Sequence, residues 1–528
     1  MTNSQKPRWW MLYSLLTLAA IAEIVVWFRN SDDASQQVIA TLMVVIVTVA
    51  LILLWWIAFS RLPWKTRFAG LGALAVATAL FFAVFRYEGM TGDFQPRFGL
   101  RFADTAEEQA AAFFETRQAA PKSTLAAGER LEIGPTDWPG FRGPNRDGRA
   151  VHEVVRTNWE EQAPRQVWRQ KVGPAWSSFA AVGDLLFTQE QRGDQEAIVA
   201  YRAATGEEVW THLNTARHET FLGGTGPRAT PVLYDSRLYA LGATGILDCL
   251  NPLTGELIWS RNIADDAGTQ QLEFGFAGSP LITGDLVVVN PGKNVPEGGD
   301  KAMYDGTPPG AVIAYHRETG DIVWRTGQRQ AGYTAPRIDT IAGEPQILIY
   351  SAWGLGGHDP QTGEELWWWE FINPYGTNSV QPIVTDDGGV FITTEQTGSA
   401  LLDPRRNADG SWTVAARWER PNRFKLRFNG GVLKDNTVYG LDGGILAAFD
   451  LAEGERTWKK GRYRFGQILL LRDHLLVLAE SGDVALLEIS PEGMTEIARF
   501  HAIDGRCWNH PVVRDGFLYV RSDEEAAC

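Results

Sequence analysis

Two side chains of this chain are candidates for binding an anionic group. The guanidinium of Arg228 can hold a carboxylate through two parallel hydrogen bonds, and the imidazole of His510 titrates near neutral pH. Both belong to a set of polar residues that recurs once in each of eight repeat units. This polar set consists of Ser178, Arg228, Ser279, Thr334, Gln381, Asn429, Gln467 and His510.

Two interpretations of the polar set remain open at the level of the sequence. As a ligand site, the residues would face a common channel, with Arg228 and His510 next to the bound anion. As a structural set, the same side chains would hydrogen-bond neighbouring units and ordered water. The ligand-site interpretation rests on Arg228, Asn429, His510, Ser279, Thr334 and Gln381.

Common catalytic and metal-binding motifs are absent from the sequence. It contains no HExxH, no Gly-x-Ser-x-Gly, no Walker loop and no CxxC. The three cysteines, Cys249, Cys507 and Cys528, are too few and too scattered for a disulfide framework or a cysteine-rich metal site. We therefore assign no catalytic residue and no metal ligand from the sequence.

Two glycine-containing segments carry a weak likeness to ligand-binding motifs. Residues 354–357 (Gly-Leu-Gly-Gly) are interpreted as a loop between strands, because a nucleotide-binding glycine motif must join a strand to a helix. Residues 145–148 (Asn-Arg-Asp-Gly) offer two oxygen ligands, whereas Ca²⁺ takes about six to eight. The second segment is interpreted as a turn.

A repeat positions the polar set. Six segments place a bulky residue four positions after a glycine, as in Gly206 and Trp210, and a seventh inserts four extra residues before Trp418. The glycine predicts a hairpin turn with positive φ, and two short strands upstream complete four antiparallel strands per unit. The tryptophans of the repeat are Trp168, Trp210, Trp259, Trp324, Trp367, Trp418 and Trp458.

The repeated tryptophans are predicted to be structural. An indole on an outer strand can wedge between neighbouring units, bury roughly 150–250 Å² and donate its N–H to a backbone carbonyl of the neighbour. We expect none of them to touch a ligand.

The repeat predicts an all-β, eight-bladed β-propeller. The bulky residues recur every 39 to 65 residues, which fits blades of about 40–45 residues with insertions. The last segment, His510 to Cys528, has inner strands but no outer tryptophan strand, whereas Arg165 to Gly173 supplies one. Pairing these two segments in one blade would close the ring.

Three apolar runs precede the propeller, Trp9 to Phe28, Val38 to Phe59 and Phe68 to Phe85. Each is long enough to cross a bilayer core of about 30 Å, which predicts three transmembrane helices. Basic residues before the first run and between the second and third place the N-terminus in the cytoplasm and the propeller on the other side of the membrane. We expect domains at residues 1–85 (anchor), 86–137 (linker with a short helix) and 138–528 (propeller).

The charge of the chain excludes one class of partner. Lys and Arg number 49 against 63 Asp and Glu, so the formal net charge is −14. This sign opposes non-specific attraction to nucleic acid. Glu23, inside the first apolar run, is interpreted as a carboxylate facing a neighbouring helix or the outer interface.

The A-x-x-x-x-T-G-x-x-x-W repeat resembles that of pyrroloquinoline quinone (PQQ) propellers, a family that includes quinoprotein dehydrogenases and BamB-like outer-membrane assembly factors. Residues 137–148 (DWPGFRGPNRDG), 226–231 (GPRATP) and 506–513 (RCWNHPVV) resemble PQQ-like repeat proteins of the bacterial envelope. The resemblance covers roughly residues 137 to 528. It implies the propeller fold, which hosts several functions.

The resemblance leaves two functions open. The first is a protein-binding scaffold of the cell envelope, anchored in the cytoplasmic membrane with a periplasmic propeller and acting in outer-membrane protein assembly. The alternative is a PQQ-dependent dehydrogenase that oxidises sugars or alcohols. The adjacent cysteines and the Ca²⁺-binding Glu, Asn and Asp set that the resemblance implies for quinoprotein alcohol dehydrogenases have no match here. We therefore expect envelope proteins as partners. PQQ is expected as a cofactor only if the chain is the alternative, a dehydrogenase.

Overall fold

The computed structural model describes residues 7–29, 33–117, 130–159, 161–293 and 310–528. The chain divides into two units, Met1–Asp104 and Thr105–Cys528. Residues 118–129 of the expected linker lie outside the described residues.

The first unit contains the three helices expected from the apolar runs. Helix α1 is Trp9–Arg29, α2 is Ala34–Leu54 and continues as a π-helical turn over Trp55–Phe59, and α3 is Trp64–Val84. All three are long and apolar enough to cross a membrane. A short hairpin, Phe85–Met90 with Pro96–Leu100, follows α3.

Glu23 contacts the neighbouring helix. Its Oε2 accepts a hydrogen bond of 3.0 Å from Thr41 Oγ1 on α2. A carboxylate inside an apolar helix is costly to expose to lipid, so this contact lowers the cost of placing it there.

Helix α4, Ala106–Arg117, belongs to the second unit. A capping box starts it, because Thr105 Oγ1 accepts from the Glu108 amide (3.0 Å) and Glu108 Oε2 accepts from the Thr105 amide (2.7 Å). Glu107 pairs with Arg217 at 2.8 Å, which ties the helix to the connection that leaves blade 1 of the propeller.

The rest of the second unit is the predicted eight-bladed propeller, with four antiparallel strands in every blade. Blade 1 comprises Ala180–Val182, Leu185–Arg192, Gln195–Arg202 and Glu208–Thr215; blade 2, Val232–Tyr234, Arg237–Leu241, Ile246–Leu250 and Leu257–Asn262; blade 3, Leu281–Thr283, Leu286–Val289, Val312–His316 and Ile322–Thr326; blade 4, Arg337–Ile341, Glu344–Ser351, Gly354–His358 and Glu365–Glu370. Blade 5 comprises Ile383–Val384, Val390–Thr394, Gly398–Arg406 and Trp412–Pro421; blade 6, Val432–Lys434, Thr437–Asp442, Ile445–Asp450 and Glu455–Arg462; blade 7, Gln467–Leu471, His474–Leu478, Asp483–Ser490 and Gly493–His501; blade 8, Val512–Arg514, Phe517–Arg521, Glu525–Ala527 and Arg169–Lys171.

Blade 8 closes the ring as the sequence predicts. Its outer strand, Arg169–Lys171, pairs antiparallel with the C-terminal strand Glu525–Ala527. The Cys528 amide also donates to the Trp168 carbonyl at 3.0 Å. The buried guanidinium of Arg521 then joins blade 8 to blade 1, because it donates to Thr188 Oγ1 at 2.6 Å.

Neighbouring blades meet where a tryptophan lies on a glycine of the next blade. Trp210 of blade 1 donates its N–H to the Pro252 carbonyl of blade 2 at 2.9 Å, and its ring covers Gly255 of the same blade 2 turn. Gly255 has φ +73°, and a Cβ there would lie 2.5 Å from the indole. Glycine is therefore required at this position for two reasons, the positive φ and the lack of space for a side chain beside the indole ring. The same ring-on-glycine contact joins Trp168 to Gly206, Trp259 to Gly320, Trp324 to Gly363 and Trp418 to Gly454.

Indole hydrogen bonds to the next blade recur around the ring. Acceptors are the carbonyls of Ala203 for Trp168 (2.8 Å), Arg317 for Trp259 (2.9 Å), Leu451 for Trp418 (2.8 Å) and Ser490 for Trp458 (2.9 Å). Two tryptophans differ. The Trp367 N–H donates at 2.6 Å to Gln346 Oε1 in its own blade, and the buried Trp324 Nε1 has no hydrogen-bond partner among the described residues. The longer hairpin of blade 5 explains the different partner of Trp367, because its turn glycine, Gly410, has no tryptophan ring near it.

The interpretation of residues 354–357 as a loop is wrong, because Gly354–His358 is the third strand of blade 4. Its glycines make room for the tryptophans of the outer strand. A Cβ on Gly357 would lie 2.3 Å from Trp367 Nε1, and one on Gly354 would lie 2.1 Å from the Trp369 carbonyl oxygen. Bulky neighbours thus select glycine inside a strand.

We predict that the indole contact, beyond the turn conformation, makes Gly255 intolerant of a side chain. Gly255→Ala should lower the free energy of unfolding by about 1–3 kcal/mol more than Gly516→Ala, because only the first overpacks a ring. Gly516 is a matched control, since its φ is +76° and no atom lies within 4 Å of its added Cβ. Urea unfolding of the detergent-solubilised chain measures both, and equal losses would contradict the prediction.

Candidate functional site at the two ends of the channel

The first strands of the blades surround the channel, and a chain of hydroxyl groups links several of them. The Ser178 amide donates to Thr230 Oγ1 (3.0 Å), and the Thr230 amide donates to Ser279 Oγ (2.9 Å). Ser178 Oγ in turn donates to the His510 carbonyl. These bonds join blades 8, 1, 2 and 3 at the channel.

In blade 2 the residue that takes part in these bonds is Thr230, and not the predicted Arg228. A proline marks such residues in the sequence, because Thr230, Ser279, Gln381 and His510 each directly precede a proline. Arg228 lies two residues earlier and contacts different groups.

The other polar residues also bond to backbone carbonyls, and all are buried. Such bonds hold strands and neighbouring blades together, and they satisfy groups that would be costly to bury alone. Among described residues, Gln381 Oε1 and His510 Nε2 have no hydrogen-bond partner. The bonds run from Thr334 to Tyr350 (2.7 Å), from Gln381 to Ala335 (3.3 Å), from Asn429 to Leu441 (2.9 Å) and from Gln467 to Trp508 (2.9 Å).

Residues 137–153, here called the plug, cover one end of the channel. Trp138 exchanges two backbone hydrogen bonds with Ala181 of blade 1 (2.7 and 2.8 Å). Arg149–Ala150 pairs in parallel with the first strand of blade 7. The Glu153 carboxylate accepts from the amide of Asp515 (2.6 Å) in the turn after blade 8's first strand. The plug therefore lies at the end where the first strands finish.

Two buried arginines fix the plug to the blades. Arg142 donates to the Gly431 carbonyl of blade 6 at 2.6 Å, and Arg146 donates to the carbonyls of Ser279 (3.1 Å) and Pro280 (2.5 Å) at blade 3. Burial lowers the pKa of Arg142 to about 10 and that of Arg146 to about 9. Both guanidiniums nevertheless stay charged at neutral pH.

His510 lies beneath the plug. Its imidazole stacks on Trp138 with ring centroids 6.0 Å apart and an interplanar angle of 21°. Burial, followed by the nearby charge of Arg142, lowers the pKa of His510 to about 3. The imidazole is therefore neutral at physiological pH and cannot supply a positive charge for an anion.

Arg228 lies at the opposite end, here called the mouth. Its guanidinium donates to the backbone carbonyls of Phe274 (3.2 Å), Gly224 (2.8 Å) and Gly226. Burial lowers the pKa of Arg228 to about 9, and the charge of Arg506 adds to the effect. The structure therefore gives Arg228 and His510 separate surroundings, the first among mouth loops and the second under the plug.

Stacked aromatic rings fill part of the mouth. The Trp176 and Trp508 ring centroids are 4.4 Å apart, and Phe428 lies 4.9 Å from Trp508. The Arg506 guanidinium lies 5.0 Å from the Trp176 ring and 5.2 Å from the Trp508 ring, and pairs with Asp523 at 2.8 Å. We call Trp176, Phe428, Arg506 and Trp508 the mouth cluster.

The mouth cluster does not fit a sandwiched PQQ ring. A planar group between two rings needs about 7 Å between them, twice the contact distance of about 3.5 Å, and the Trp176–Trp508 separation is smaller. Cys249 and Cys507 are both buried and not adjacent. Burial raises the pKa of Cys249 to about 12, so it stays a thiol. In the described part of the chain, no three His, Cys, Asp or Glu side chains are grouped to hold a metal ion.

Comparison with known proteins places these features in context. The family described as outer membrane protein assembly factor BamB matches residues 155–289 and 269–460, more than half of the chain. The outer membrane protein assembly factor BamB of Burkholderia pseudomallei (strain K96243) is 26% identical over 329 residues, covering 59% of this chain and 75% of that protein.

Quinoprotein dehydrogenases are also similar, over a shorter part of their length. The quinoprotein ethanol dehydrogenase of Pseudomonas putida is 28% identical over 163 residues, covering 28% of this chain and 23% of that protein. The chain therefore matches less than a quarter of that enzyme. The solved structure of quinohemoprotein alcohol dehydrogenase ADHIIG from Pseudomonas putida HK5 superposes with a TM-score of 0.53 at 13% identity, covering 73% of this chain and 75% of that one. This likeness concerns the fold alone.

We predict that the neutral His510 makes the protein less stable in mild acid. With a folded pKa of about 3, His510 takes up no proton between pH 7 and 5, whereas the unfolded chain does so below about pH 6.5. Lowering the pH to 5 should therefore cost the native chain about 2 kcal/mol more than the His510→Gln variant. Urea midpoints at the two pH values test this, and an equal loss in both proteins would refute it.

Proposed function

The chain belongs to the family described as outer membrane protein assembly factor BamB, and on that basis we propose that it is a membrane-anchored, protein-binding scaffold of the cell envelope. Its partners are envelope proteins, and its role lies in outer-membrane protein assembly. The relative from Burkholderia pseudomallei that carries this description supports the proposal over three quarters of its own length.

The anchor part of the proposal rests on the three apolar helices. Residues 1–85 would hold the chain in the cytoplasmic membrane, residues 86–137 would connect, and residues 138–528 would form a periplasmic propeller. Arg8, Arg61, Lys65 and Arg67 flank the helices on the side assigned to the cytoplasm, in keeping with the positive-inside rule.

The observation that carries the scaffold function is that the chain's own side chains occupy both ends of the channel. The plug covers one end, and the mouth cluster packs the other. An enzyme of this fold needs room for a cofactor and a substrate, whereas a scaffold needs only its outer surface. The geometry therefore favours binding at the surface over chemistry in the channel.

The rim of the mouth offers a surface for a protein partner. Phe221 and Tyr375 lie in the connections after blades 1 and 4, and their side chains are 64% and 72% exposed. Large exposed aromatic side chains are typical anchors of protein interfaces. We assign the docking of envelope proteins to this rim.

The alternative is the PQQ-dependent dehydrogenase, which the similarity to quinoprotein ethanol dehydrogenase favours. It requires that the mouth cluster separate to admit the cofactor, and that a base and a metal site come from residues that the present geometry does not group. The scaffold requires neither change.

We predict that the rim aromatics, and not apolar exposure in general, carry partner binding. Phe221→Asp with Tyr375→Asp should reduce the capture of envelope proteins about tenfold, because charged groups replace interface anchors. The matched control is Val154→Asp with Phe517→Asp, two exposed apolar residues at the plug end. Capture from solubilised envelopes on the immobilised chain, quantified by mass spectrometry, makes the comparison. Equal capture by both double variants would overturn the rim assignment.

The two functions also differ in their response to PQQ. We predict that titration of the purified chain with PQQ gives no saturable binding and no dye-linked oxidation of glucose or ethanol, because the mouth rings lie too close together. Stoichiometric binding accompanied by oxidation would replace the scaffold by the dehydrogenase.

A further inference from the structure

A small pocket opens at the plug end, between the plug and blades 4, 5 and 6. Its volume is about 60 Å³. One water molecule needs a cavity of about 10–15 Å³ and drug-sized ligands need about 300 Å³ or more, so the pocket suits a small ion. Its walls come from Arg142, Arg146, Asp147 and Arg149 of the plug, Arg337 of blade 4, Gln381, Pro382, Ile383, Val384 and Asp386 of blade 5, and Gly431 and Leu433 of blade 6.

The wall carries an excess of positive charge. The lining residues include four arginines, Arg142, Arg146, Arg149 and Arg337, and two aspartates, Asp147 and Asp386. Arg337 is already paired with Asp339, whose Oδ1 accepts from Nη2 at 3.1 Å. Three guanidiniums thus remain against the carboxylates of Asp147 and Asp386, so one negative charge would balance the wall.

The deepest guanidiniums have no carboxylate bonded to them. The guanidiniums of Arg142 and Arg146 donate to backbone carbonyls, and both residues are buried. Arg142 Nε is buried and has no hydrogen-bond partner among the described residues. A buried charge without a counter-charge is costly, and an anion in the pocket would remove part of that cost.

The pocket is reachable from solvent. Arg149 and Asp386 at its rim are exposed, and Val384 and Leu433 are half-buried. The backbone of Arg149 is held by pairing with Leu470, so its side chain can approach an ion without movement of the plug.

We propose that this pocket binds a free inorganic oxyanion of the phosphate or sulfate type, which pairs with the exposed Arg149 guanidinium and is attracted by the buried charges of Arg142 and Arg146. Guanidinium groups form charge-assisted hydrogen bonds with such oxygens, and their planar geometry suits them to the task. Bound there, the anion lies between the plug and blades 5 and 6 and offsets the buried positive charge. It also stabilises the closed end of the channel, because it binds only the folded arrangement.

The test is isothermal titration of the detergent-solubilised full chain with inorganic phosphate at constant ionic strength. Saturable binding of one phosphate per chain is expected. Arg149→Gln should weaken the affinity about fivefold, and Asp386→Asn should strengthen it about fivefold, as expected for one screened charge near the ion. Arg405→Gln is the control, since Arg405 is exposed on blade 5 away from the pocket lining, and it should leave the affinity unchanged.

The opposite signs keep the proposal falsifiable. A misfolded variant could only lose binding, whereas Asp386→Asn must gain it. Absence of saturable phosphate binding to the native chain would overturn the proposal, as would equal effects of Arg149→Gln and Arg405→Gln. Glycerol 3-phosphate separates a free ion from a phosphate group on a larger molecule. It should bind more weakly, because one of its four phosphate oxygens carries the carbon chain and is a poor acceptor for a guanidinium. Equal affinity would contradict the free-ion assignment.

Discussion

The contact between an indole and a glycine of the next blade is the interaction on which the propeller depends. It requires a positive φ and no side chain at one residue, and a large ring with a hydrogen-bond donor at the other, as Trp210 and Gly255 show. Five blade junctions carry this contact, and one of them is the junction that closes the ring. There Trp168 of blade 8 lies on Gly206 of blade 1, and it can do so because the two ends of the propeller share blade 8.

The channel follows from the same geometry. Eight first strands leave a central space, and the chain fills it with hydroxyl and amide groups that bond across blades, with the plug at one end and aromatic rings at the other. Buried polar groups that are satisfied in this way stabilise one arrangement of the ring. A propeller filled by its own side chains presents its surface to partners, which agrees with the scaffold proposed here more readily than with an oxidoreductase.

Much of the fold could be predicted because the repeat residues have direct physical roles. A glycine at the end of a strand predicts the turn, and a tryptophan four residues later predicts the indole that packs between blades. The single strand around Trp168 predicts that the ring is closed by pairing the two ends of the propeller. Local composition gave wrong predictions where residues distant in sequence determine the structure. The glycines from Gly354 onward were predicted to form a loop, but they form a strand because tryptophans of the next strand pack across them. Arg228 was predicted from its polarity, but Thr230 makes the hydrogen bonds between blades. The plug could not be foreseen, since its partners lie up to 377 residues away, as in the pair of Asp137 and Arg514.

Hydrogen–deuterium exchange of the backbone amides that seal blade 8 tests the closed ring most directly. The amides of Val167 and Cys528 donate to carbonyls across the junction at 2.8 and 3.0 Å. In a closed ring they should exchange as slowly as the amides of blade 7's first strand, because the junction opens only when the ring does. Exchange within seconds at both amides, with the first strand of blade 7 still protected, would show that the ends do not pair and would contradict the account.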